Sequence, residues 1–311
     1  MEGEFYVSVN IDTINNIRAF NRFYTNILGL LDQHIVKSVY SLTEARILFD
    51  LNEIGSCMAS ALSARLNVDK SYMSKIIAEF EKNGLISKKM SSEDNRANFL
   101  ELTEKGSLVI DELIKTSNCQ IGQMFASLSD EECNEISVAM DTIRKYFTKA
   151  TTAIEIRPFT KNDIDFIISR QINLYKVEYG FTSDVWKAYV ADGVHQLVNQ
   201  FHPEKDCVYV LEANGNVSGS VAITHVGEAA QLRFFFVEPA LRGLGAGNKL
   251  INMAINFCRE KKYGRVFLWT FSKLAAARHL YSKIGFQITD THENTEWGEP
   301  VLEERWDLDL I

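Results

Sequence analysis

The sequence predicts a multidomain chain: a mostly α-helical N-terminal half, residues 1–150, joined to an α/β (α+β) half, residues 154–311. Three observations predict it. A chain of 311 residues with 46% apolar and 24% charged residues has material for two globular cores. In the first half, apolar residues recur at three- and four-residue spacing, the helical period, interrupted by one pair of short strand-like runs. In the second half, strand-like runs at 232–237 and 265–271 alternate with helical stretches. The join, residues 149–154, has no Gly/Ser or Pro-rich spacer, so the halves are expected to be coupled rather than freely tethered.

The first helical stripe is Ile11, Ile14, Ile17, Phe20, Phe23, Ile27 and Leu30, more apolar surface than a small domain needs internally. Residues 57–66 and 69–83 read as two helices joined by a tight connection, with Asp69 as N-cap and Met73, Ile76, Ile77 and Phe80 as the buried stripe of the second. The exposed face of that second helix is then Lys70, Ser71, Tyr72, Ser74 and Lys75, short polar and basic groups suited to phosphates and base edges. Two strands, 85–90 and 97–103, flank the polar tip 91–96. With Asp94, Arg96, Leu102, Thr103 and Gly106 in place, this pattern resembles the winged helix-turn-helix of MarR-type regulators. The resemblance implies operator DNA as a partner, with Arg96 at the wing tip reaching the minor groove. Two further helices follow: residues 108–125, and one opened by the capping box Ser129 and Glu132 that carries Ile136, Met140, Ile143 and Phe147. In MarR-like proteins such flanking helices interlock two subunits, which implies a homodimer through the N-terminal domain.

Near the C-terminal third an apolar strand breaks at Pro239 into a turn containing Gly243, Gly245 and Gly247 and restarts as a helix. Glycines let the backbone approach a ligand, and the first-turn amides of the helix suit a pyrophosphate. No Gly-Lys-Ser/Thr follows, which excludes a nucleotide triphosphatase loop, and the turn lies on a late strand, which excludes a dinucleotide fingerprint. After one more strand comes a helix containing Leu280, Tyr281, Gly285 and Phe286. Together with Arg242, Gly245 and Gly247, these resemble the two motifs of the GCN5-related N-acetyltransferase (GNAT) family, over roughly residues 154–311. The resemblance implies the GNAT fold, acetyl-CoA as donor and a small-molecule amine as acceptor. It implies that the pantetheine arm lies against the backbone of Phe236 and Val237. Arg242, Gly243, Gly245, Ala246, Gly247 and Asn248 would surround the phosphates, with Lys273 and Arg278 as further cations. Tyr281 matches the family's usual acid, and Leu274 stands where many members carry Asn.

The base is read from the strand before the turn. Strict alternation puts Gln231, Arg233, Phe235 and Val237 on one face and Leu232, Phe234 and Phe236 on the other. Many relatives place a glutamate where Gln231 stands. An amide cannot take a proton, so the role passes to Glu228 just upstream, to Glu178 from the early helical segment, or to a water chain; Glu228 is assigned it. Gln231 and Glu178 are expected beside the acceptor. Arg233 is odd for a buried strand: it either pairs with an internal carboxylate or reads a carboxylate on the acceptor.

Composition closes other classes. No apolar run reaches spanning length and the N-terminus lacks a signal-peptide pattern, so no membrane partner is expected. Five cysteines without metal spacing predict reduced thiols, a cytoplasmic setting and no metal. The net charge of −8 does not exclude DNA, because residues 56–103 are nearly balanced in charge. The expected function is acetyl transfer in a DNA-binding dimer. The alternative is a transcription factor whose second domain only senses acyl-CoA or a metabolite.

Overall fold

The computed structural model describes residues 9–35, 39–66, 68–90, 98–297 and 300–310. The N-terminal half runs α1 (Ile11–Ile35), α2 (Leu42–Ile54), β1 (Ser56–Met58), α3 (Ala59–Leu66), α4 (Lys70–Lys82), β2 (Ile86–Met90), β3 (Asn98–Leu102), α5 (Glu104–Phe125) and α6 (Asp130–Thr151). Its core gathers Leu48 and Leu51 of α2, Leu62 of α3, Met73, Ile76 and Phe80 of α4, Leu100 of β3 and Ile110 of α5. The sequence signals for α4 and α6 act as expected. Asp69 accepts from the Ser71 and Tyr72 amides at 2.9 and 3.1 Å, and Ser129 and Glu132 close a reciprocal capping box.

One expectation fails locally. Residues 57 and 58 are not helical: they form β1, which pairs with β3 through Cys57↔Leu100 and completes a three-stranded sheet in the order β1-β3-β2. Gly55, at φ +85°, ends α2 in a conformation that L side chains rarely adopt, and the chain leaves extended along the free edge of β3. Residues 91–97, with Asp94 and Arg96, lie outside the described residues.

Helices α1, α5 and α6 leave apolar side chains facing solvent. Ile17, Phe20 and Phe23 of α1, Ile121 and Met124 of α5, and Val138, Met140 and Phe147 of α6 are exposed, and α6 buries no residue.

The C-terminal half begins two residues after α6 with β4 (Ile154–Pro158), followed by α7 (Ile164–Tyr179), α8 (Asp184–Asn199), β5 (Cys207–Ala213), β6 (Asn216–Val226), β7 (Ala229–Val237), α9 (Ala246–Glu260), β8 (Arg265–Phe271), α10 (Ala275–Ile284), β9 (Gln287–Asn294) and β10 (Val301–Asp309). The sheet order is β4-β5-β6-β7-β8-β10-β9, antiparallel except for β7 beside β8. Leu250, Ala254 and Cys258 of α9 pack on one face with Tyr281 of α10. Ile164 and Ile167 of α7 and Val194 and Leu197 of α8 pack on the other.

Two features of β7 create the working space. It pairs with β8 only at Ala230↔Val266 and Gln231↔Phe267, and then the two parallel strands part. Phe234 has φ +50°, and the ladder to β6 shifts between Ser220 and Ala222: a β-bulge. An extra residue reverses the alternation. Leu232 therefore packs on the α9 face together with Phe235 and Val237, whereas Phe234 and Phe236 pack on the α7/α8 face. The strict alternation expected along this strand is corrected accordingly, and Arg233 shares the face of Phe234.

A buried arginine sits where the two halves meet. Arg170 of α7, 1% exposed, holds the Glu238 carboxylate with Nε and Nη2, the latter at 2.7 Å. Its Nη1 donates to the carbonyls of Glu53 (2.8 Å) and Ile54 (3.2 Å) at the end of α2, and Asn173 Nδ2 donates to Glu53 O at 2.7 Å.

Candidate active site

A cavity of about 420 Å³ opens where β7 leaves β8. Phe235, Phe236 and Val237 form one wall, the turn Arg242–Asn248 the mouth, and α10 the other wall. Gly243 and Gly245 sit at φ +74° and +84°, and it is this backbone conformation that calls for glycine; a Cβ at either position would meet nothing within 4 Å, so the space beside the turn stays open. Gly245 is the N-cap of α9, and helix geometry leaves the first-turn amides of Ala246, Gly247 and Asn248 without intrahelical acceptors. Gly247 is different: its Cβ would stand 3.4 Å from Leu280 and Phe235, so it sets the close approach of α9 to the cavity wall. A narrow cleft with a strand edge on one side and free amides at its mouth fits a pantetheine arm and a pyrophosphate.

The cations around this mouth differ from those expected. Arg242 donates both Nη groups to Glu178 at 2.8 Å and Nε to Val237 O at 3.0 Å. Glu178 therefore lies at the mouth of this cleft as the partner of Arg242 and does not line the cavity that holds Gln231 and Arg233. Arg278 points to the opposite side of α10, where it meets Glu304 at 2.9 Å and the Trp306 ring, and it lines no part of the cleft. Lys273 is exposed in the turn before α10 and is likewise absent from the cleft. The α10 groups that do line it are His279 and Lys283, four residues apart on one helical face. Helical spacing from Tyr281 and Leu280 is the signal that could have found them. Leu274, 7% exposed, joins the aromatic cluster of Phe181, Trp186 and Phe271 and supplies an apolar start to α10.

A second cavity, about 460 Å³, lies on the α7/α8 side of the sheet. Arg233 and Gln231 line it, with Trp186, Tyr189, Trp297 and Glu303. Tyr281 and Tyr175 line both cavities. Tyr281 is 5% exposed, and burial, with smaller contributions from Tyr175 and Tyr179, pushes its phenol well above the ordinary range, so it keeps its proton. Glu228 does not join this site. It is exposed in the β6–β7 turn and lines neither cavity, because the hairpin projects it past the end of the sheet. Arg233 is not paired internally: among the described residues no carboxylate lies within ion-pair distance, and its guanidinium rests 4.6 Å over the Phe234 ring.

In the N-terminal half, Lys70, Ser71, Tyr72, Ser74 and Lys75 all stand exposed on α4, as their spacing requires. Ser74 Oγ donates back to Lys70 O at 2.8 Å. Among the described residues no group of three or more His, Cys, Asp or Glu could hold a metal ion, and no helix is long and apolar enough to cross a membrane.

Two cavities meeting at a buried tyrosine, one of them framed by a glycine turn and a splayed strand, are the arrangement of an acyl-group transferase. Comparison with known proteins makes this particular. The model of the acetyltransferase (GNAT) family matches residues 172–286, and that of the MarR family matches residues 40–97. A putative ribosomal protein bS18 alanine N-acetyltransferase of Bacillus subtilis is 32% identical over 153 residues, 49% of this chain and 93% of that protein. The uncharacterized N-acetyltransferase YjgM of Escherichia coli is 29% identical over 127 residues, 40% of this chain and 76% of that protein. The HTH-type transcriptional regulator MhqR of Bacillus subtilis is 25% identical over 121 residues, 38% of this chain and 83% of that protein. The chain belongs to the GNAT acetyltransferase family and carries a MarR family domain ahead of the acetyltransferase domain.

Proposed function

We propose that this acetyltransferase moves an acetyl group from acetyl-CoA to the primary amine of a small, amino-acid-like acceptor, within a homodimer that binds operator DNA. The observation that carries the reading is the position of Tyr281 on the wall shared by the two cavities. Bound acetyl-CoA supplies the acetyl thioester. The chain's residues supply placement and one proton. The free edge of β7 beyond Gln231 orients an extended arm, the α9 amides with Lys283 and His279 receive phosphates, and Phe235 and Leu280 keep water from the reacting end. Tyr281 holds its proton for the departing sulfur as the C–S bond breaks and the C–N bond forms, and the proton the amine sheds restores the phenol.

The exposed apolar faces of α1, α5 and α6 support a second copy as partner, which would set two α4 helices toward adjacent grooves. The free cysteines, three of them buried, suit a reducing cytoplasm. The test is direct: incubate the full chain with acetyl-CoA and a panel of amines and look for the acetylated amine by mass spectrometry. Acetylated product from the parent and little from Tyr281→Phe is the expected result; equal product from both removes Tyr281 from the chemistry.

A further inference from the structure

The second cavity is built for more than an amine. Resting on the acetyl-transfer reading above, we propose that its acceptor is a small aromatic amino acid or close relative, with a primary amine, a carboxylate and a flat ring.

The carboxylate is called for by Arg233. Among the described residues its guanidinium has no anion: it rests 4.6 Å from the Phe234 ring centroid, and Gly193 of α8 leaves it room, since a Cβ there would come within 2.8 Å of Nη2 and 3.2 Å of the ring. Asp206 borders an adjoining cavity with Arg233, yet its oxygens are occupied, accepting from the His202 amide at 2.9 Å and from the His225 amide and ring Nδ1 at 2.8 Å. A half-buried cation with unused donors is costly alone and favourable with a ligand carboxylate, which it can grip with two parallel bonds.

The ring is called for by the walls. Trp297 stands 5.4 Å from Trp186 and 4.6 Å from Tyr189, centroid to centroid, and it is fixed from both ends. Its indole N–H donates to Glu303, and its carbonyl accepts from Ser183 Oγ at 2.7 Å. Glu303 also accepts from Asn294 at 2.8 Å, so its carboxylate serves as an anchor.

Two polar atoms in the wall are left for the ligand. Among the described residues, Trp186 Nε1, on a residue 3% exposed, and Gln171 Oε1, on one 7% exposed, are buried without a hydrogen-bond partner. A buried donor and a buried acceptor that go unpaired each cost free energy, and both belong to residues that line this cavity. A polyamine or a lysine chain answers neither Arg233 nor the aromatic walls, and its second cation would meet the guanidinium.

The experiment is calorimetric titration of the full chain, saturated with CoA so that no turnover occurs. Phenylalanine, phenethylamine and spermidine are the probes. Phenylalanine is expected to bind at least about tenfold more tightly than phenethylamine, which lacks only the carboxylate, consistent with one charge-assisted contact. Arg233→Gln should erase that difference, and Arg233→Lys, which keeps the charge, should retain part of it with the same circular dichroism. Equal affinities in the parent, no binding of either, or tighter spermidine overturns the proposal. Thiol release from acetyl-CoA, run alongside, separates the two readings. Carboxylate-dependent binding without acetylation would sink acetyl transfer and leave the pocket assignment standing; acetylation of spermidine alone would do the reverse.

Discussion

Tyr281 is one of two phenols, with Tyr175, that line both cavities, and its burial decides what it can do. A free phenol ionises near pH 10, but desolvation raises this one well beyond that. The folded protein therefore holds the acid form across the working range. In steady-state measurements, kcat should stay level as pH rises through about 10, and a falling limb centred there would contradict the assignment. Tyr281→Phe keeps the ring in the core and removes the proton, so acetyl-CoA affinity should persist while kcat falls about a hundredfold, the usual scale of general acid catalysis. This residue was legible from the sequence because it sits inside a motif. The cations were not. Arg278 and Lys283 both look available on paper, and only the packing of α10 against β10 sends Arg278 to Glu304 and leaves Lys283 in the cleft.

At the scale of elements, the bulge in β7 and the glycine turn after it shape the site together. The bulge puts Arg233 and Phe235 on opposite faces, so that Phe235 lines both cavities and Arg233 only the second of the two, and no sequence rule announces it, since Phe at positive φ is disfavoured locally and is held there by the β6 ladder and the core. Helix ends were readable for the opposite reason: Asp69, Ser129 and Glu132 act on amides two or three residues away. Strand β1 was not readable, because three residues carry no periodicity and its partner β3 lies about forty residues on. Arg170 of α7 is the element-scale interaction with the largest expected energy. Its removal strands the buried Glu238 carboxylate and the α2 carbonyls, so Arg170→Ala should lower stability by about 3–5 kcal/mol in urea unfolding. A loss below about 1 kcal/mol, the scale of an exposed pair, would show that solvent already reaches the junction.

For the whole molecule, the same arginine suggests how the halves communicate. Glu238 directly follows Val237 on the cleft wall, and α2 leads through β1 into α3 and the exposed helix α4. The short join at residues 149–154 predicts coupling; the α7 to α2 contact is a second, direct link between the halves. If the cleft and α4 share two states, operator affinity should change on saturation with acetyl-CoA by roughly five- to 150-fold, and Glu238→Gln should shrink that change. Identical operator affinity with and without acetyl-CoA would mean that the domains share a chain but no switch. The measurement closest to the central claim is continuous thiol release by the full chain with acetyl-CoA, with and without acceptor, in the parent and in Gly245→Val. Valine strains a backbone at φ +84° in the turn that lines the cleft and adds bulk where the backbone is expected to approach the pyrophosphate. Acceptor-dependent release in the parent and none in the variant is the predicted result; equal release from both would contradict the placement of the donor at the glycine turn.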